Sequence, residues 1–366
     1  MTRNAWIELD LDVLGDNIRA MQQALARRTE VILVVKANAY GHGMQAVARR
    51  ASACGVGWFV VSRLDEALDL RATLPQARIL LLGAVWPADV GEILAQGITP
   101  VLVGEDQARE VAAAARRCRA ALPCHVKIDT GMGRFGLAWE EAGDKLSRLR
   151  AEGGLEIQGL CTHLASAGKP GDPFAELQAQ RFHTAIADCA AKGLTVPFKH
   201  MANSAAFATR ADWDLDGVRL GILLYGYGGK RHDTRVRTRP LLQWKTRVIQ
   251  IRKVPAGFKV GYLSTHVTSA PTHLATIDVG YSDGYSRLMS NKGYVLVGGR
   301  RARVVGRVTM NFTTVDLGLD AAVREGEEVV LLGQQSGESL WADELARWCQ
   351  TIPYEILTSI RSATAP

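Results

Sequence analysis

The stretch VILVVKANAYGHG, residues 31 to 43, runs five aliphatic residues into a lysine. A run of that kind, with no polar alternation, reads as a strand buried on both faces, the pattern of a parallel sheet covered by helices. A lysine at its end is unusual. Ammonium groups are among those least often buried, and one left unpaired in an apolar site loses its proton more easily. The residues alone leave two readings of Lys36 open: a side chain that snorkels to solvent, or an amine with chemistry to do at the end of the strand.

Seven further runs follow outward from this one: GWFVV (57–61), RILLL (78–82), TPVLV (99–103), CHVKI (124–128), LEIQGL (155–160), PFKHM (197–201) and VRLGILLYG (218–226). Stretches of helical period separate them, among them VLGDNIRAMQQALARR, which Asp12 would cap, and EDQAREVAAAARRCR. Strands alternating with helices imply a parallel sheet with crossovers, and eight strands close a (β/α)8 TIM barrel. A doubly wound open sheet is the alternative. From about residue 240 the pattern shifts to Val-, Ile- and Thr-rich segments punctuated by Gly and Pro, such as WKTRVIQIRKV, THLATIDVGY and EEVVLLG. These predict a mostly antiparallel β-rich C-terminal domain. The expected division is a barrel over 10–230 and a β domain over 231–366, joined by the N-terminal strand 1–9, with GGKRHDTRVRTRP (228–240) as linker.

Composition fits a globular protein with a large core: 366 residues, 47% hydrophobic and 22% charged. The formal charge is +7, but the basic residues are scattered, and clusters such as RRCR (116–119) lack interleaved aromatics, so no nucleic-acid partner is expected. MTRNAWIELDLDVLGDN contains no apolar signal region and no segment has the length of a membrane span, which predicts a cytoplasmic protein with no membrane partner. Six cysteines without a C-x-x-C pair fit reduced thiols better than disulfides or a metal site.

Active sites of such barrels lie at the C-terminal ends of the strands. Lys36 ends the first run; Lys127 and Asp129 end the fifth, followed by TGMGRFG with Arg134; His163 ends the sixth; Asn203 and Ser204 follow the seventh; Arg219 lies in the eighth, just before Gly221. Each has an ordinary reading: His163 as a satisfied core histidine, Ser204 as a helix cap, Arg134 as a turn residue. Their common rim argues otherwise. A cationic rim with a serine opening a helix suits a phosphorylated ligand, and a desolvated lysine can be neutral and form a Schiff base. The two together suggest pyridoxal 5'-phosphate.

The motifs VVKANAYGHG, HVKIDTGMGRFG, GLCTH, ANSAA, VRLGILLYG, VGYSDGYSR, VGRVTMN and TIPYEIL, in this order over nearly the whole chain, resemble the alanine racemases, barrel-type pyridoxal phosphate enzymes. The resemblance implies racemisation of L-alanine to D-alanine, a peptidoglycan precursor, by two bases. Lys36 would carry the cofactor and act as one base, and Tyr262 from a second subunit would act as the other, so that a homodimer shares its active sites. Tyr40, Asn203, Ser204, Gly221, Ile222 and Tyr354 would hold the cofactor and its phosphate. Arg219 would face the pyridine nitrogen, Arg134 the phenolic oxygen, and His163 would stand beside Tyr262. The Met310 backbone N–H, with Arg134, would receive the substrate carboxylate, Lys127 would be carbamylated, and Tyr281, Arg287 and Arg307 would line the entrance.

An arginine does not surrender its proton, so the ring nitrogen it faces stays unprotonated and the ring is a weaker electron sink, which favours immediate reprotonation of carbon. Four positions depart from the family pattern: Leu263 stands where glycine is usual, His266 replaces an aromatic residue, Asn311 an aspartate and Gly168 an acidic residue. These touch the entrance, so a broader racemase accepting serine or lysine is an alternative. A barrel-type decarboxylase would pair the ring nitrogen with a carboxylate, and a non-catalytic carrier would lack the β domain.

Overall fold

The computed structural model describes residues 5–26, 28–169, 171–228, 234–319 and 322–364. Part of the expected linker, residues 229–233, and the first four residues of the expected N-terminal strand lie outside them. The described chain divides into two compact units, one made of Leu14–Ala39 and Met44–Thr238, the other of Met1–Val13, Tyr40–Gly43 and Arg239–Pro366.

The first unit holds the parallel strands β1 (Glu30–Val34), β2 (Trp58–Val61), β3 (Arg78–Leu81), β4 (Ile98–Leu102), β5 (Leu122–Asp129), β6 (Leu155–Cys161), β7 (Phe198–His200) and β8 (Gly217–Leu220). They pair in the order β8-β1-β2-β3-β4-β5-β6-β7. A bridge between Asn203 and Arg219 and the bond from Arg219 N to Ala202 O (3.0 Å) bring the two ends together, so the sheet is a nearly closed barrel. Helices return the chain between strands: α1 (Leu11–Ala24) leads into β1, and α2 (Met44–Ala53), α3 (Leu64–Thr73), α4 (Val90–Ala95), α5 (Glu105–Arg117), α6 (Ala142–Glu152), α7 (Pro173–Ala191) and α8 (Ser204–Thr209) follow in turn. Continuous aliphatic runs form these strands because both faces are covered: Val31, Ile32, Leu33 and Val34 of β1 are all buried.

Two local expectations are corrected. The cap of α1 is Asp10, whose Oδ1 accepts from Asp12 N (3.1 Å) and Val13 N (3.0 Å), rather than Asp12. A capping carboxylate must sit before the first turn to reach its free N–H groups. The run 218–226 is strand only as far as Leu220, beyond which it folds into turns.

The second unit is mostly antiparallel. Strands β9 (Leu242–Val254), β10 (Thr272–Ile277), β11 (Tyr294–Val297), β12 (Arg300–Val304), β13 (Thr313–Gly318), β14 (Glu328–Gln335) and β15 (Glu338–Leu340) run in the order β15-β14-β11-β12-β13-β10-β9, and β14 also pairs with β9, closing a ring. The strand Trp6–Leu9 adds to the outer edge of β9. Along β9, Leu242, Trp244, Thr246 and Val248 are buried while the residues between them are not, the alternation of a strand with one face on a core.

Candidate active site

The mouth of the barrel unit encloses a cavity of about 230 Å3 lined by Lys36, Ser62, Leu82, Gly83, Lys127, Arg134, Phe135, Cys161, Thr162, His163 and Arg219. Its lining carries the cations Lys36, Lys127, Arg134 and Arg219 and no carboxylate. At Gly83 on this lining a Cβ would stand 1.8 Å from Ser62 O, so only glycine lets the two strand-end loops meet there.

Arg219 organises this wall. Its Nη1 donates to His200 Nδ1 (2.7 Å) and His200 O (3.0 Å), and its Nη2 to Thr162 O (2.7 Å), Met201 O (3.0 Å) and His163 Nδ1 (3.5 Å). A guanidinium has donors only, so each histidine nitrogen facing it is an unprotonated acceptor. His200 therefore carries its proton on Nε2, which donates to His125 Nδ1 at 2.9 Å. Both imidazoles are neutral in this arrangement. Burial and the Arg219 charge hold His200 well below the usual histidine range and bring His125 down to about 4. His163 falls to about 3, first by burial and then by Arg219, Lys127, Arg134 and Lys36.

The lysines are also biased toward neutrality. Burial, then the Arg134 charge, lowers the pKa of Lys36, and the Glu66 carboxylate opposes them. For Lys127 burial again acts first, opposed by Cys161 and Asp129. Lys127 is 3% exposed, and among the described residues its Nζ has no hydrogen-bond partner; it lies 5.4 Å from the centre of the Phe135 ring, and the Arg134 guanidinium 4.8 Å from the same ring. An orphaned buried amine is costly, so it is a place where a ligand or a modification is chemically called for.

Other residues named from sequence lie elsewhere. Asn203 caps α8, its Oδ1 accepting from Ala205 N (3.1 Å) and Ala206 N (3.0 Å), which corrects the reading of Ser204 as the cap. The Ser204 Oγ instead accepts from Gly221 N (3.0 Å) and Leu223 N (3.4 Å), and Ile222 between them is buried. In the second unit the Tyr40 and Tyr354 rings are 5.6 Å apart. Tyr262 there is 73% exposed and Met310 55%, with Tyr281 also exposed; the Nε of Arg307 is buried without a hydrogen-bond partner among the described residues. Arg287 shares a surface cleft with Tyr281. The cavity of the barrel unit thus gathers Lys36, Lys127, Arg134, His163 and Arg219, while the others line no part of it.

Sequence reading passed over Glu66, His125, Phe135 and His200. A signal for His125 was present: in a strand, residues two apart share a face, and His125 stands two before Lys127 on β5.

A lysine at the end of the first strand, an arginine fixed in the eighth and a ring-closing β unit in the same chain define a barrel enzyme with a cationic, amine-bearing pocket. Residues 9–228 match the family profile described as alanine racemase, N-terminal domain, and residues 241–365 the one described as alanine racemase, C-terminal domain. An alanine racemase of Syntrophobacter fumaroxidans is 42% identical over 358 residues, 98% of this chain and 95% of that protein. Among solved structures, the alanine racemase from Bacillus anthracis with bound L-Ala-P superposes with a TM-score of 0.92 at 32% identity, covering 98% of this chain and 93% of that one. The alanine racemase from Bartonella henselae with covalently bound pyridoxal phosphate gives 0.89 at 30% identity, over 99% of both. The chain belongs to the alanine racemase family, and it is an isomerase.

Proposed function

We propose that this protein interconverts L- and D-alanine with pyridoxal 5'-phosphate as cofactor, by two bases on opposite faces of the substrate carbon. The observation that carries the reading is a half-buried lysine biased toward its neutral form at the end of β1, in a cavity whose charges are otherwise positive. Such a donor set fits an anionic aldehyde: a neutral amine to capture the carbonyl, cations to balance phenolate and phosphate, and a lone buried amine at Lys127.

Bound pyridoxal phosphate supplies an electron-withdrawing ring that acidifies the Cα–H of an attached amino acid. The chain's residues do the rest. Lys36 would hold the cofactor through its ε-nitrogen and, as a free amine, would take or give the proton at Cα on one face. Arg219, a permanent donor held by its bonds to three main-chain carbonyls, would face the ring nitrogen and leave it unprotonated. Tyr262, contributed by a second copy, serves the opposite face, with His163 neutral beside it. Arg134 and the Met310 N–H would orient the substrate carboxylate, Tyr40, Ser204, Gly221, Ile222 and Tyr354 would anchor the phosphate with Asn203 also on the cofactor, and Lys127, carbamylated by carbon dioxide with loss of a proton, would set the negative charge of its carbamate oxygens against Arg134. Tyr281, Arg287 and Arg307 line the approach.

The same reading makes the protein a cytoplasmic homodimer, with a barrel over 10–230 and a β domain over 231–366 completed by the strand near residues 1–9. None of the six cysteines is disulfide-bonded, and no helix among the described residues is long and apolar enough to cross a membrane. The test is polarimetry on purified protein with L-alanine. Rotation decaying to zero from either enantiomer supports the proposal; release of carbon dioxide, or no change, overturns it. Serine and lysine, run in parallel, decide whether Leu263, His266, Asn311 and Gly168 widen the choice of substrate.

A further inference from the structure

Directly after Lys36 the backbone does something costly. Ala37, Asn38, Ala39 and Tyr40 all have φ between 51° and 54°, four successive residues in the left-handed region without a glycine among them. Each such residue costs roughly 1–2 kcal/mol, so the turn persists only because its surroundings hold it. Three bonds within the unit do so: Ala39 N to Val35 O (2.7 Å), Met44 N to Asn38 Oδ1 (2.8 Å), and Ala37 N to Glu66 Oε1 (2.7 Å).

The last of these reaches across 29 residues of sequence to the first turn of α3. The other oxygen of the same carboxylate, Oε2, accepts from Ser62 N (3.0 Å), Ser62 Oγ (3.3 Å) and Arg63 N (3.2 Å). The bonds to residues 62 and 63 are what a helix-capping glutamate makes for its own turn. The bond to Ala37 is not. It ties the residue following the lysine to the end of the neighbouring strand, and the carboxylate making it is 9% exposed, so water does not compete for it.

We propose that Glu66 is a positioning residue for Lys36: one buried carboxylate clamps the ends of β1 and β2, fixes where the lysine stem leaves the sheet, and sets a negative charge against its nitrogen. The inference rests on the reading of Lys36 as the residue that captures the cofactor. The other charged and titratable groups acting on that nitrogen are Arg134, which lowers its proton affinity, and His163, with Lys127 and Arg219 lining the same cavity. Glu66 alone among them raises it.

The experiment strips cofactor from the full-length chain, adds pyridoxal 5'-phosphate at a series of pH values and follows the bound cofactor's absorbance. In Glu66→Gln the pH midpoint of capture moves down, because Lys36 loses the carboxylate that helps retain its proton, and in the reloaded enzyme kcat falls roughly 10- to 100-fold with little change in KM. An unchanged midpoint would mean that Glu66 only caps α3 and would overturn the proposal. Should the Gln variant not fold, Glu66→Asp serves: it keeps the charge but is one methylene short of Ala37, so the midpoint holds while kcat falls, and wild-type kcat would overturn the proposal. Wild-type protein that captures the cofactor but leaves alanine unchanged would sink the proposed function and leave this midpoint test intact.

Discussion

At the scale of the residue, Lys36 shows how burial turns a common surface cation into a reagent. Desolvation and the Arg134 charge both favour its neutral form, and a neutral amine is what attacks a carbonyl. Lys36→Ala is expected to abolish both the absorbance of bound cofactor and turnover in each direction; residual racemisation would show that another amine does this work. Tyr262→Phe should leave the cofactor bound and abolish net racemisation in both directions, while exchange of the Cα proton with solvent persists for the enantiomer whose proton faces Lys36 and is lost for the other. Leu263 is a second residue-scale case. It sits at φ 60°, ψ 12°, a region disfavoured for a branched side chain. Leu263→Gly removes that strain and should raise stability by up to about 1 kcal/mol, measured by urea unfolding.

At the scale of the element, β5, β6 and β7 are built around the two histidines behind Arg219. The His125 ring occupies the space that a side chain on β6 would need: a Cβ at Gly159 would stand 2.5 Å from three ring atoms. Trp58 of β2 and Phe198 of β7 flank the same ring, with centroids 5.8 Å away in each case. Gly159→Ala is therefore expected to cost about 1–3 kcal/mol by overpacking, and to lower kcat by displacing His125, the acceptor of the His200 imidazole that in turn accepts from Arg219. Calorimetry and kinetics on one preparation would check both effects, and an Ala variant as stable and active as wild type would remove Gly159 from the account. The alternation of β5 places His125 and Lys127 together, so half of this arrangement was legible in the sequence. The glycine was not, because a space is defined by what crosses from the neighbouring strand.

At the scale of the whole molecule, two tests bear on assembly and on pH. If Tyr262 serves a second copy's Lys36, co-refolding inactive Lys36→Ala with inactive Tyr262→Phe yields hybrids with one intact site of two, and about a quarter of wild-type activity for random pairing. Failure to recover any activity would argue that sites are not shared. For pH, His125, His163 and His200 all have folded pKa values below the ordinary 6.5, so between about 3 and 6.5 the unfolded chain binds more protons than the folded one. Stability from these groups is complete above 6.5 and lost as pH falls through that window, by a few kcal/mol in total. Urea titrations at pH 7 and pH 5 should show the drop, and His125→Phe should lessen it. A profile flat across that range would contradict the neutral tautomers assigned here.

The aliphatic runs, their helical separators and the alternating segments beyond residue 240 determined the parallel barrel and the antiparallel unit, because periodicity of burial is a local property that a chain must carry in its own order. The same runs put Lys36, Lys127, His163 and Arg219 at strand ends. Only the tertiary structure decided that the carbonyls of Thr162, His200 and Met201 converge on one guanidinium, that the Nε2–H of His200 donates to His125, and that Glu66 reaches the N–H of Ala37. Hydrogen bonds between segments tens of residues apart depend on strand register and loop path, and neither leaves a periodic mark on the residues that make them.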